Sequence, residues 1–181
     1  MATTKWVLDP THSELGFKIK HLMISNVSGA FTKFEAVAET EADSFTTARI
    51  QLKADMNSIS TNNEQRDAHL RNGDFLDTEK FPELQFVSTK IEQTGDDSFI
   101  LFGDLTMKGI TKPVQLNVEH SGVTKDPWGN QRAGFTVTGK IKRSDWGIAF
   151  NTVLETGGVA LGEEVKLAAE IQLVKEVLVA A

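Results

Sequence analysis

The chain has 181 residues, which we interpret as one domain over residues 1–181 with a substantial core. Its net charge of −6 disfavours electrostatic binding to nucleic acid or to an anionic membrane. It contains no cysteine, which excludes disulfides, thiolate catalysis and Cys-ligated metal centres.

The amino terminus, MATTKWVLD, has neither the basic region nor the apolar core of a secretory signal. No run of about eighteen apolar residues occurs, so stable insertion into a membrane is not expected. These features predict a cytoplasmic protein, or a periplasmic one if a leader has been removed.

Alternation of apolar and polar residues predicts β-strands along most of the chain, each with one dry face and one wet face. The alternation is clear at residues 14–20, 48–56, 114–120, 135–142 and 165–173. Further strands are predicted at residues 30–38, 84–92 and 98–107, which gives about eight in all.

The segment NNEQRDAHLRNG, residues 62–73, departs from this alternation. Asn62 and Asn63 suit the capping position at the start of a helix, and Gly73 suits the position just past its end. The segment therefore predicts one short α-helix, with Ala68 and Leu70 facing inward and Asp67 facing outward.

Antiparallel strands that are joined by short turns and share one dry face form either a two-sheet sandwich or a closed barrel. Closure removes the exposed edges that long strands would otherwise carry. A barrel of about eight strands can also enclose a small ligand. We therefore predict an all-β fold, an eight-stranded antiparallel barrel with one short α-helix.

The segment LDPTHSELGFKIKH, residues 8–21, brings Asp9, His12 and Ser13 close together in the sequence and raises the question of a catalytic triad. Neighbouring side chains of an extended chain point to opposite faces, so His12 is poorly placed to serve Ser13 as a base. No G-x-S-x-G turn exposes a serine elsewhere. We interpret the segment as a turn in which Ser13 bonds local backbone, and we predict no catalytic residues and no enzyme activity.

Metal and phosphate sites have equally little support. The histidines, His12, His21, His69 and His120, form no H-x-H or H-x-x-x-H pair, and the first two are separated by about 30 Å of extended strand. Glycine-rich phosphate-binding motifs are absent. We therefore predict no metal and no cofactor.

Large aromatic residues are the remaining feature. Eleven phenylalanines and three tryptophans, with no tyrosine, are spread over nearly every predicted strand. They are compatible with a solid core and equally with a cavity lined for an apolar ligand, because both require the same alternation.

Five segments in matching order resemble the YceI-like family, the bacterial lipocalin-like polyisoprenoid-binding proteins. They are residues 6–34, 58–86, 103–116, 126–135 (DPWGNQRAGF) and 143–148 (RSDWGI). The resemblance implies a lipocalin-like barrel with a long hydrophobic tunnel. It also implies amphiphilic ligands with an isoprenoid tail, such as quinones or polyprenyl compounds.

The expected ligand-binding residues come from two sources. Alternation places five apolar residues on the inner faces of strands: Phe17, Ile19, Leu52, Leu116 and Phe135. The family segments add five aromatic residues: Phe31, Phe34, Phe75, Phe86 and Trp146.

Two polar residues are candidates for contact with a ligand head group. His21 follows Phe17 and Ile19 on the inward face at the end of a strand and could contact a head group there. A capped or solvated histidine is the simpler interpretation. Arg143 is the second candidate, and its alternative role is an ion pair with Asp145 on one strand face.

The leading hypothesis is a carrier or scavenger that binds an apolar small molecule with an isoprenoid tail. The alternative is a ligand-free barrel that acts as a protein-interaction or stress-response module. That alternative predicts a solid interior and an exposed apolar patch around Leu22, Met23 and Ile24. Oligomeric state stays open, with a symmetric homodimer as the commonest arrangement.

Overall fold

The computed structural model describes residues 3–22, 24–151 and 161–176. Its strands are β1 (Thr3–Leu8), β2 (Glu14–His21), β3 (Ser25–Phe31), β4 (Phe34–Glu41), β5 (Ser44–Asp55), β6 (Ile59–Ser60), β7 (Glu83–Gln93), β8 (Ser98–Met107), β9 (Ile110–Lys125), β10 (Gln131–Lys142) and β11 (Leu161–Lys175). One α-helix, α1 (Glu64–Arg71), and 3-10 turns at Pro10–His12, Met56–Ser58 and Arg143–Trp146 complete the described elements.

Eight of the strands close into an antiparallel barrel. Their order is β1-β4-β5-β7-β8-β9-β10-β11, and β1 pairs back onto β11 through Trp6 with Lys175, Val7 with Val174 and Leu8 with Leu173. Closure pairs every edge of the ring, which a sandwich does not achieve. The predicted all-β, eight-stranded barrel with one short helix is therefore confirmed.

The wall extends beyond this ring because β11 has two partners along one edge. Its carboxyl end pairs with β1, while its amino-terminal part pairs with β2 from Glu170 opposite Glu14 to Leu161 opposite His21. Strands β3 and β6 continue the sheet beyond β2. The prediction of one strand over residues 30–38 was wrong, since the chain breaks at Thr32 and Lys33 into β3 and β4.

A polar network holds the break between β1 and β2. Asp9 accepts hydrogen bonds from the backbone N–H of Thr11 at 3.0 Å and from its hydroxyl at 2.6 Å, and it pairs with Arg132 at 2.5 Å. Arg132 also pairs with Asp126 of the β9–β10 hairpin at 2.8 Å. The network thus joins three separate parts of the barrel wall on its outer side.

The segment that suggested a triad has a structural role instead. His12 Nδ1 lies 2.7 Å from Asp9 Oδ2, but the Ser13 hydroxyl accepts the backbone N–H of Gln172 at 2.9 Å and contacts its carbonyl oxygen at 3.4 Å. Our expectation that Ser13 bonds local backbone was wrong, because the break turns its side chain toward β11.

Helix α1 begins where predicted, with Asn63 as its N-cap accepting the N–H of Arg66 at 3.0 Å. Leu70 faces inward as predicted and packs against buried side chains, but the prediction was wrong for two other residues. Ala68 is exposed, and Asp67 is buried because its carboxylate accepts both the N–H of Thr61 at 2.8 Å and the Thr61 hydroxyl. Of the helices in the described ranges, none is long and apolar enough to cross a membrane.

Two clusters of buried side chains occupy opposite ends of the barrel. The helix-end cluster contains Ala54, Met56, Ile59, Phe75, Leu76, Leu84, Phe86, Leu101, Leu105, Met107, Trp146 and Ile148. The Trp6-end cluster contains Trp6, Leu8, Ala36, Ala38, Ala133, Phe135 and Leu173. Between them, many inward-facing side chains are only half-buried, among them Val114, Leu116 and Val118 of β9.

We predict that Asp9→Asn lowers the free energy of unfolding at neutral pH by about 1–2 kcal/mol, because it weakens charge-assisted hydrogen bonds at the break. The hydrogen bond from the Thr11 hydroxyl, with those from His12 and Arg132, holds the pKa of Asp9 well below its ordinary value of 3.8. A carboxyl group with a lowered pKa stabilises the fold above that ordinary value, and this contribution is lost as the pH falls below it.

Denaturant unfolding at neutral pH and at a pH well below 3.8 measures this difference. The gap between wild type and Asp9→Asn should shrink on acidification. Asp96→Asn, in the exposed turn between β7 and β8, should change stability at neither pH. A gap that stays constant down to strongly acidic pH would contradict the role given to the Asp9 carboxylate.

Candidate functional site

A long cavity runs inside the barrel. Its volume is ≈ 290 Å³, and its lining is almost wholly apolar. A close-packed protein interior leaves few voids larger than one water molecule. The barrel is therefore hollow. Of the two interpretations of the aromatic residues, this favours a lined cavity over a solid core.

The cavity is long and narrow. Leu161 and Leu173 of β11 both line it, and the strand between them measures about 40 Å, or about 30 Å along the axis of a barrel with tilted strands. Lining residues come from α1 and from every strand from β2 to β11. We call this cavity the lumen.

Nine of the twelve expected ligand-binding residues lie on the lumen wall: Phe17, Ile19, Phe31, Leu52, Phe75, Phe86, Leu116, Phe135 and Arg143. Their contact with a ligand stays a prediction. The strand alternation and the family segments thus brought together side chains from β2, β3, β5, β7, β9 and β10 around one space.

The other three expected residues are not among those that line the lumen. Phe34 packs against both buried clusters. Trp146 is 2% exposed, and its indole N–H donates to the carbonyl of Leu105 at 2.9 Å, so it anchors the helix end of the barrel. His21 is half-buried at the end of β2.

Arg143 reaches the lumen wall from a 3-10 turn, not from a strand. Its guanidinium donates to the carbonyls of Gly162 at 2.9 Å, Ile148 at 2.8 Å and Phe150 at 2.8 Å. The expected ion pair with Asp145 on a strand face was wrong, because neither residue is in a strand. Burial lowers the pKa of Arg143, and the three carbonyl contacts favour a structural role.

Some lining residues were missed for an identifiable reason. Phe45 lines the lumen near the start of β5, but the β4–β5 register shifts between Glu39 and Glu41. This irregularity puts Phe45 and Ile50 on the same side of the wall although their numbers differ in parity. Phe99 and Leu101 line the lumen from a strand whose two faces are both apolar, so alternation carried no signal there.

Glycines on neighbouring strands let bulky side chains lie flat against the wall. The Phe17 ring covers Gly29, the Phe86 ring covers Gly103 and the Leu116 side chain covers Gly139. A Cβ at any of these glycines would come within 3.0 Å of the covering side chain. The glycines therefore keep these groups out of the middle of the lumen.

The histidines lie in separate places. His12 contacts Asp9, and His69 contacts Asp74 at 2.9 Å. His120 belongs to a group of rings at the Trp6 end that we call the aromatic cluster: Trp6, Phe45, His120 and Phe135. In the part of the chain that the structure describes, no three His, Asp or Glu side chains are grouped so that they could hold a metal ion.

A closed antiparallel barrel around an apolar lumen defines a binding-type barrel protein. The YceI-like domain matches residues 6–173, and the chain therefore belongs to the YceI-like family. It is similar to the UPF0312 protein SAS2572 of Staphylococcus aureus (strain MSSA476), with 42% identity over 170 residues that cover 93% of this chain and 96% of that protein.

Solved structures show the same architecture. The YCEI protein of Campylobacter jejuni is 32% identical, with a TM-score of 0.76 over 94% of this chain and 97% of that one. A polyisoprenoid binding domain from Saccharophagus degradans shares the fold at 15% identity, with a TM-score of 0.64 over 94% of this chain and 98% of that one.

We predict that Phe17→Ala costs less than the ~3–5 kcal/mol typical of a phenylalanine deleted from a solid core, because its ring borders open space. Met56→Ala, at a fully buried position of the helix-end cluster, should cost ~2–5 kcal/mol. Denaturant unfolding of both variants measures the contrast. A Phe17→Ala cost at the top of the solid-core range would show that the lumen is packed in solution.

Proposed function

We propose that the protein binds an amphiphilic lipid with an isoprenoid tail, of the quinone or polyprenyl type, inside the lumen. In this proposal it acts as a carrier or scavenger and catalyses no reaction. The observation that supports it is the continuous apolar lumen of a YceI-like barrel.

The shape and chemistry of the lumen favour a chain over a compact ligand. A tail that leaves water gains roughly 25 cal/mol for each Å² of apolar surface buried, provided that the wall stays dry along its length. The lumen is lined from Phe45 near one end to Phe75 near the other, and its lining is almost wholly apolar. A long flexible hydrocarbon can bury its surface there without any matching polar groups.

The relatives support the same class of ligand. The Saccharophagus degradans domain is described as polyisoprenoid binding, and its fold covers nearly all of this chain. A branched prenyl chain suits a wall of Phe, Leu, Ile and Val side chains, because these present only carbon to the lumen.

The protein-interaction alternative retains one supporting observation. Leu22 is 40% exposed and Ile24 is 85% exposed at the turn between β2 and β3, while Met23 lies outside the described residues. Exposed apolar side chains at a turn can form a site for contact with a partner protein. The solid interior that this alternative also predicted is not found, so we rank it second.

The first experiment asks what the purified protein carries. Native mass spectrometry, followed by organic extraction, should reveal a co-purified prenyl lipid or, after delipidation, uptake of added geranylgeraniol. Protein that is repeatedly free of lipid and ignores both geranylgeraniol and a prenyl quinone would overturn the proposed function.

A pair of variants tests whether the lumen is the binding site. Val137 lines the lumen in the middle of β10, and its neighbour Thr138 is exposed on the outer face. Val137→Trp should fill the lumen and reduce geranylgeraniol binding by at least about tenfold, which corresponds to about 1.4 kcal/mol. Thr138→Trp should bind normally.

Isothermal titration calorimetry measures the affinities, and thermal unfolding verifies that both variants are folded. Equal affinities of the two folded tryptophan variants would show that the lipid binds outside the lumen.

A further inference from the structure

We propose that His120 forms the hydrogen bond that holds the polar end of the bound lipid, so that the lipid lies with its head group in the aromatic cluster. This inference rests on the proposed function and adds a direction and a head-group chemistry to it.

His120 carries an unsatisfied buried nitrogen. Its Nε2 atom is shielded from solvent and, within the described ranges, is the one buried side-chain nitrogen or oxygen that has no hydrogen-bond partner. Other buried polar groups are satisfied: the Trp6 indole N–H donates to Thr40 at 3.3 Å, and that of Trp146 donates to Leu105. Buried polar atoms are almost always paired, so this nitrogen calls for a partner that is not a protein group.

The location of His120 connects this nitrogen to the lumen. On β9 it continues the inward-facing row of Val114, Leu116 and Val118, all of which line the lumen. Its ring stacks on Phe135, with centroids 4.7 Å apart and planes 16° apart, and meets Phe45 edge-on at 5.1 Å. Both of these phenylalanines line the lumen as well. The imidazole is not itself among the lining residues, but it lies directly behind two of them at the Trp6 end of the lumen.

The neighbours of His120 indicate a neutral head group. A neutral imidazole nitrogen donates to a carbonyl oxygen or accepts from a hydroxyl, according to its tautomer. The other members of the aromatic cluster, Trp6, Phe45 and Phe135, are uncharged, so they offer no cation to a phosphate. Among the described residues that line the lumen, the charged one is Arg143, near the helix-end cluster, where its guanidinium contacts three backbone carbonyls. A hydroxyl or a quinone carbonyl fits this end of the lumen better than a diphosphate does.

His120→Phe is the decisive variant, because it keeps a stacked ring and removes the nitrogen. The probes are geranylgeraniol and the matching hydrocarbon in which hydrogen replaces the hydroxyl group. We expect His120→Phe to weaken binding of the alcohol by about three- to tenfold, the range of a single neutral hydrogen bond, and to leave the hydrocarbon unchanged. His12→Phe, the same change at an exposed histidine between β1 and β2, should alter neither affinity.

The outcomes separate this inference from the proposed function. If wild-type protein binds both probes and His120→Phe weakens both equally or neither, the lumen function stands and the role of His120 is overturned. If wild-type protein binds neither probe, the proposed function fails and this assignment fails with it. Tighter binding of geranylgeranyl diphosphate than of the alcohol, with no effect of His120→Phe, would place the head group elsewhere.

Discussion

The whole barrel depends on the way β11 shares one of its edges between two strands. Its other edge pairs with β10 from Val174 to Glu164, while the shared edge meets β1 near Leu173 and β2 from Glu170 onward. Only a break between β1 and β2 allows this arrangement, and Asp9 holds that break in place. One strand thereby belongs both to the closed ring and to the extension that lengthens the wall, and the length of the lumen follows from this.

A hollow interior has to be maintained against the tendency of apolar side chains to pack. In this barrel the packing takes place at the two ends, around Trp146 and Trp6, and these clusters stabilise the fold without filling the middle. Between them, side chains such as Phe17 and Leu116 spread over glycines of the adjacent strand. Several cluster residues, such as Phe86 and Phe135, also line the lumen, whereas Met56 is fully buried and does not. Truncation at Met56 should therefore cost more stability than truncation at Phe17, whose ring borders open space.

Much of the fold could be predicted because its strands alternate regularly and helix α1 has a recognisable N-cap at Asn63. The breaks could not be predicted: nothing in the alternation distinguishes one strand over residues 30–38 from two strands that meet at Thr32. Phe45 was not predicted to face the lumen because a register shift in β5 changes which residues point inward. Asp67 was predicted to face outward because its hydrogen-bond partner, Thr61, lies before the helix. Local patterns predict local structure, whereas these contacts depend on neighbours that only the closed barrel supplies.

The same limit explains why the sequence analysis chose His21 as a head-group candidate and did not choose His120. His21 and His120 both share the parity of inward-facing apolar residues, so the sequence cannot rank them. Neither histidine is among the residues that line the lumen, but the structure distinguishes them. The His120 ring packs on Phe45 and Phe135, which do line it, and its shielded Nε2 atom has no protein partner, whereas His21 is half-buried at the end of β2.

The glycines beneath the large side chains have a consequence for how such a barrel could diversify. Alanine at Gly139 would push the Leu116 side chain toward the axis and make the channel narrower there, while the identity of every inward-facing side chain stays the same. The width of the channel therefore depends partly on glycines that do not contact the ligand. Two barrels with identical lining residues can therefore accept ligands of different width. Substitution of the underlying glycines would change this selectivity without changing any lining residue.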